Sequence, residues 1–302
     1  MKPEDYLREK NNNFLLDFTG VYDDEFVKNK TTLKWIDCTD ISGCNMYCSK
    51  QAEQKIGKRI DAVGIHGIHF LDSGNYHYVT KIMTDRIKRP FTLVIFDHHT
   101  DMQKPLVEGM TSCGDWALKV LKENAYLQQL ILIGPDEKDI NAIEITDKNN
   151  TTNNNTSEKL ITFSAQEING NRIKQSIAST NDSSADASYN SSIDTTTASI
   201  PNATQDITYK INKIKSGIPI YISVDKDILD KQISETNWSQ GKMQLSTLEK
   251  LLDVFLRKNK IIGVDICGEC SKNIPLPEYM EAEEKNKELN HELYQYLTYH
   301  IT

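Results

Sequence analysis

Long apolar runs are missing from this sequence. None approaches the ~20 residues that a membrane helix needs, so no spanning segment is predicted. The first residues, MKPEDYLREKNNNF, contain no apolar core of a secretory signal, and the expectation is a cytoplasmic protein. Excess positive charge is also absent. Lys and Arg total 35 against 43 Asp and Glu, a net charge of -8. That balance argues against a phosphate-backbone partner and mildly favours cationic substrates. Cysteine is sparse: Cys38, Cys44, Cys48, Cys113, Cys267 and Cys270. In a chain of 302 residues without a secretory signal these read as reduced thiols. Cys267 and Cys270 have the C-x-x-C spacing of a redox pair or half a zinc site. Cys44 and Cys48, at C-x3-C, would have to supply the other half. Because CGEC stands at a strand end beside the acids described below, it reads instead as pocket wall.

What is present is an alternation of strand and helix patterns. FLLDFTG (14–20), LKWIDCTD (33–40), AVGIHGIHFL (62–71), TLVIFDHHTD (92–101), QQLILIGP (128–135), IPIYISVDKDILD (218–230) and KIIGVDIC (260–267) carry apolar, β-branched runs. Between them, 45–60, 76–88, 116–125, 245–259 and 277–300 have helical periodicity. The pattern predicts one α/β domain over residues 1–302, a three-layer α/β/α sandwich around a mostly parallel sheet. Two Asn/Ser/Thr/Asp tracts, 147–158 and 179–206, interrupt it. They have too little apolar surface to offset their ordering entropy and read as disordered loop insertions. KLITFSAQEI (159–168), between them, reads as a strand and turn.

Three short blocks carry the chemistry: GNYHYVT (74–80), VIFDHHTD (94–101) and YISVDKDILD (221–230). In the second and third, a buried-strand pattern ends in alternating carboxylates. Open α/β sheets place their sites at the carboxyl ends of strands. His77, Asp97, His99, Asp101, Asp225 and Asp227 therefore form a candidate ligand set for two divalent cations. Clustered carboxylates repel one another, and two doubly charged ions would neutralise all four. Mixed imidazole and carboxylate donors suit Mn²⁺, Fe²⁺ or Zn²⁺ better than Ca²⁺. His66 and His69 read as packing or supporting residues.

In order and spacing these blocks, with GVDICGE (263–269), resemble the arginase/agmatinase/deacetylase (ureohydrolase) superfamily over roughly residues 60–270. There the pattern runs Gly-Gly-Asp-His, Asp-x-His-x-Asp, Ser-Phe-Asp-x-Asp, and a late strand bearing a Glu. More narrowly, the chain resembles divergent arginase-like proteins, some of which act on arginine within peptides. The resemblance implies that Asp97 and Asp225 bridge two ions, Mn²⁺ foremost. His77 and Asp101 would complete one shell, and His99 and Asp227 the other. It further implies a hydroxide between the ions as nucleophile, with Asp101 accepting its hydrogen bond. The substrate would be a small-molecule or peptide guanidino compound, with no nucleic acid or membrane partner and with room for a homo-oligomer.

Two departures stand out. The family's proton-transfer His has no counterpart in TSCGDWALK (111–119), where Asp115 or Cys113 would have to substitute. The family Glu that receives the guanidinium falls on Gly268, and Glu269 comes one residue later. A one-residue slip on a strand reverses side-chain direction unless a bulge at Gly268 restores it. Three readings follow: a binuclear guanidino hydrolase; a single-zinc amide deacetylase drawing on His66/His69 and His98/His99; and a metal-binding or regulatory protein with little catalysis.

Overall fold

The computed structural model describes residues 12–22, 33–145, 156–170, 210 and 213–301. The tract 179–206 lies outside the described residues, as do positions 147–155 of the other tract; residues 156–159 form a short helix.

Eight strands form one sheet: β1 (Asn13–Asp17), β2 (Leu33–Asp37), β4 (Gly67–Phe70), β5 (Phe91–Phe96), β7 (Leu127–Ile133), β8 (Leu160–Phe163), β9 (Ile220–Asp225) and β10 (Ile261–Cys267). A separate antiparallel pair joins β3 (Tyr47–Cys48) to β6 (Thr111–Ser112). The order across the large sheet is β2-β1-β4-β10-β9-β5-β7-β8. Each neighbouring pair is parallel. β5 and β9 are buried at every position, as strands covered on both faces must be.

Side-chain alternation along each strand feeds two cores. Leu93 and Ile95 of β5 join Leu16, Leu130, Leu132 and Tyr221 on one face. The helices α1 (Lys50–Asp61), α2 (Val79–Thr84) and α3 (Trp116–Glu123) cover that face through Ile56, Ile82 and Leu121. Val94 and Phe96 join Ile68, Ile222 and Val264 on the other face. There α4 (Leu245–Leu256) and α5 (Leu276–Ile301) pack through Leu248, Leu252, Leu293 and Leu297. This is the expected three-layer sandwich. None of the helices is long and apolar enough to cross a membrane among the described residues.

The predicted elements shift mainly at their ends. The helical pattern at 45–60 begins with β3, and α1 starts only after Ser49, whose hydroxyl accepts the Ala52 N–H as an N-cap. The pattern at 76–88 is a 3₁₀ turn, Gly74–Tyr76, followed by the short α2. That break leaves His77 between the two, free of the regular helical pattern.

Candidate metal centre

The chain order decides where the acids meet. β4 is followed by β5, but β10 and β9 lie between them in the sheet. The loop after β4 therefore passes above the ends of β10 and β9. Such a jump in strand order leaves a crevice at the carboxyl edge. Asp97 follows β5, Asp225 closes β9, and Cys267 closes β10 directly beside Asp225 in register.

All six predicted ligands come together in that crevice. His77 Nδ1 lies 3.2 Å from Asp97 Oδ2, 3.0 Å from Asp101 Oδ2 and 3.5 Å from Asp225 Oδ2. His99 Nδ1 lies 2.8 Å from Asp227 Oδ2 and 3.6 Å from Asp97 Oδ1. Asp97 thus faces both halves, one oxygen to each. Asp225 is less symmetric: its Oδ2 faces His77, while its Oδ1 accepts the Asp227 N–H at 3.0 Å.

Asp101 sits at φ +49°, a left-handed conformation that costs an L-residue roughly 1–3 kcal/mol. Its partners hold it there. Its carbonyl accepts the Ala117 and Leu118 N–H groups at the start of α3, and its Oδ2 accepts the Trp116 indole N–H at 2.6 Å. The Trp116 ring also packs on His77, with centroids 4.7 Å apart.

The electrostatics point to a cation. Burial opposes a charge on either imidazole. Even so, Cys267, Asp101 and Asp97 raise His77 well above its ordinary value, and hydrogen bonds to Asp227 and Asp97 push His99 up to about 11. Burial, followed by the neighbouring acids, raises both Asp225 and Asp227. Without a metal, the cage draws protons to reduce its negative charge. Asp97 Oδ2 is buried and accepts no hydrogen bond. An orphaned carboxylate oxygen among further donors is what a divalent cation would satisfy, so the residues fit such an ion.

A buried hydrogen-bond chain aims His77. Its Nε2 meets Ser223 Oγ at 2.9 Å, and Ser223 Oγ meets Thr80 Oγ1 at 3.1 Å. Thr80 donates to Asp265 Oδ2 at 2.8 Å. Asp265 Oδ1 also takes His69 Nδ1 and the Tyr221 hydroxyl, each at 2.8 Å. With Nδ1 facing the carboxylates, Nε2–H donates outward and each hydroxyl passes its own proton along the chain. Partners of this kind fix a ligand's orientation. Ser223→Ala is accordingly expected to weaken divalent-metal affinity roughly 10- to 100-fold, measured by titrating metal into stripped protein.

The cleft above the ligands holds about 140 Å³ and is walled by Met46, Tyr47, Lys104, Cys113 and Trp238. Two predicted site residues point elsewhere. Asp115 is 2% exposed; its Oδ1 accepts the Ser112 N–H at 2.9 Å and pairs with Lys119 at 3.1 Å. Glu269 is 4% exposed and meets Lys226 Nζ at 2.6 Å and Asn290 Nδ2 at 2.7 Å. Gly268 explains why no bulge returns Glu269 to the cleft. Its φ is +102°, and a Cβ there would stand 2.7 Å from Asp225 Oδ1. Position 268 thus leaves no room for a side chain, and the chain turns away behind it. Cys267, which faces the ligands, was legible only as pocket wall. Trp116 and Trp238 gave no sequence signal. Cys44/Cys48 and Cys267/Cys270 share no metal-sized cluster among the described residues, and His66, His69 and His98 do not line the cleft.

Comparison with known proteins agrees with this architecture. No family model matches the sequence. A Thermotoga maritima protein described as uncharacterised is 26% identical over 258 residues, covering 84% of this chain and 78% of its own. Among solved structures, formimidoylglutamase from Bacillus subtilis superposes with TM-score 0.56 at 11% identity, over 95% of this chain and 88% of that one. Bacillus subtilis arginase gives 0.54 at 11%, over 94% and 98%. Trypanosoma cruzi formiminoglutamase with Mn²⁺ gives 0.53 at 11%, over 100% and 94%. The chain therefore has the arginase-type fold.

Proposed function

We propose that this protein is a metal-dependent hydrolase of C–N bonds that acts on a guanidino compound, free or within a peptide. One observation carries the reading: Asp97 stands between two imidazole-carboxylate clusters, with one oxygen toward each. Solved structures of the same fold include an arginase and a formiminoglutamase with Mn²⁺. In the proposed assignment, His77, Asp97, Asp101 and Asp225 would hold one ion, and Asp97, His99 and Asp227 would hold the other. Such a pair would supply Lewis acidity and a nucleophilic water at neutral pH.

The remaining work falls to the chain itself. Two divalent ions would neutralise the four aspartates, so a planar, always-charged guanidinium would find its support in the ring faces of Tyr47 and Trp238 at the cleft wall. Asp101, clamped by Trp116, is oriented to accept a proton in the cleft. His99, with its side chain 32% exposed, is the ligand most open to an incoming substrate. Its Nε2 is held by Ser239 Oγ at 2.8 Å. Trp238, Tyr47 and Met46 line the cleft beside the ligands.

Stripped protein reloaded with Mn²⁺ should hold about two ions per chain, because two donor clusters share Asp97. It should also release urea from at least one of arginine, agmatine, guanidinobutyrate or arginine-containing peptides. Trace metal after reconstitution would overturn the metal centre. Hydrolysis of acetylated amines alone would replace the guanidino reading with deacetylation. Two bound ions without turnover on any substrate would leave a metal-binding protein.

A further inference from the structure

The last residue of β10 has no place in the six-ligand scheme, although it faces the metal crevice. Cys267 is 1% exposed, and its Sγ donates to Asp225 Oδ2 at 3.1 Å. Its sulfur, an Asp225 carboxylate oxygen and a His77 ring nitrogen all lie within 4.8 Å of one another. The backbone enforces this aim. Cys267 pairs with Asp225 across the sheet, and the turn at Gly268 ends the strand before the direction can alternate again.

Cys267 closes the apolar cluster on that face of the sheet, yet its sulfur reaches past it to the Asp225 carboxylate and the His77 ring. Donors to one ion stand roughly 3–4 Å apart, and the thiol lies 3.1 Å from Asp225 Oδ2. His77 Nδ1 and Asp225 Oδ2 are separated by 3.5 Å.

We infer that the Cys267 thiolate is a metal ligand in the His77 half of the centre, an inference that rests on the metal-centre reading above. The two halves then differ in chemistry. His77, Asp97, Asp101, Asp225 and Cys267 offer nitrogen, oxygen and sulfur, whereas Asp97, His99 and Asp227 offer only nitrogen and oxygen. Thiolate donors favour Zn²⁺, Co²⁺ or Fe²⁺ over Mn²⁺. The His77 half would therefore retain the softer ion, and the His99 half would accept Mn²⁺. As the ion binds, the thiol proton now shared with Asp225 passes to solvent.

Cobalt reports a sulfur ligand directly, through a near-ultraviolet thiolate-to-cobalt charge-transfer band. Full-length protein reconstituted with Co²⁺ should show the band. Cys267→Ser should lose it and bind Zn²⁺ at least about tenfold more weakly, while still holding Mn²⁺. Cys113→Ser, which alters the thiol that lines the cleft, should keep the band. The inference falls if wild-type protein binds two Co²⁺ per chain without the band. It also falls if the band survives Cys267→Ser, and its loss in Cys113→Ser alone would assign the ligand to Cys113. Each of these results leaves the metal centre standing. Failure to bind any Co²⁺ would remove the centre and the inference together.

Discussion

Asp97→Asn is expected to reduce bound metal from two ions to at most one and to lower turnover at least about 1000-fold, equivalent to about 4 kcal/mol of transition-state stabilisation. The substitution keeps the shape and the hydrogen-bond acceptor for His99 N–H, which now meets Asp97 Oδ1 at 2.6 Å. What it removes is the charge and one metal-binding oxygen, in the residue that faces both halves. Elemental analysis and turnover at saturating metal check the two effects separately. A variant that holds two ions and turns over normally would show that Asp97 does not join the halves. Folding should survive, because the carboxylate oxygen facing His77 accepts no hydrogen bond in the metal-free protein.

Lys226→Met is expected to cause the largest loss of stability from a single change, about 3–5 kcal/mol, the usual cost of leaving a buried partner charge uncompensated. At this chain length that corresponds to roughly 6–20 °C in melting temperature. Lys226 is fully buried. Its Nζ bonds Glu269 Oε1 at 2.6 Å and Asn290 Oδ1 at 3.0 Å, tying the turn that bears Asp225 and Asp227 to α5. The second change that tests the cause is Glu269→Gln in the same chain. Removing both charges should recover more than half of the lost stability, measured by thermal or denaturant unfolding. An additive loss in the double variant would mean that charge pairing is not what Lys226 provides.

That ion pair also marks how far the sequence could be read. The DxHxD and DxD blocks were legible because a strand-end acid needs only local pattern: a β-branched run sets the strand, and alternation sets which side chains share a face. β5 and β9 lie where their apolar runs placed them, and their acids stand at the expected edge. His77 was legible as a candidate ligand, though the 3₁₀ turn that frees it from α2 was not. Glu269 could not be placed in the same way. Its direction depends on what lies beside it in space. A Cβ at residue 268 would collide with Asp225, and Lys226 and Asn290 lie 43 and 21 residues from Glu269 in the chain.

The sequence by itself determined the α/β class, the strands that end in acids and the identity of the six candidate ligands. Each of these follows from short-range periodicity and from the charges themselves. Only the tertiary structure decided that Asp97 faces both clusters, that Glu269 and Asp115 turn away from the cleft, and that Cys267 faces His77. Those outcomes depend on strand order: β10 and β9 come late in the chain yet insert between β4 and β5. No local pattern records which distant strand end will become a neighbour.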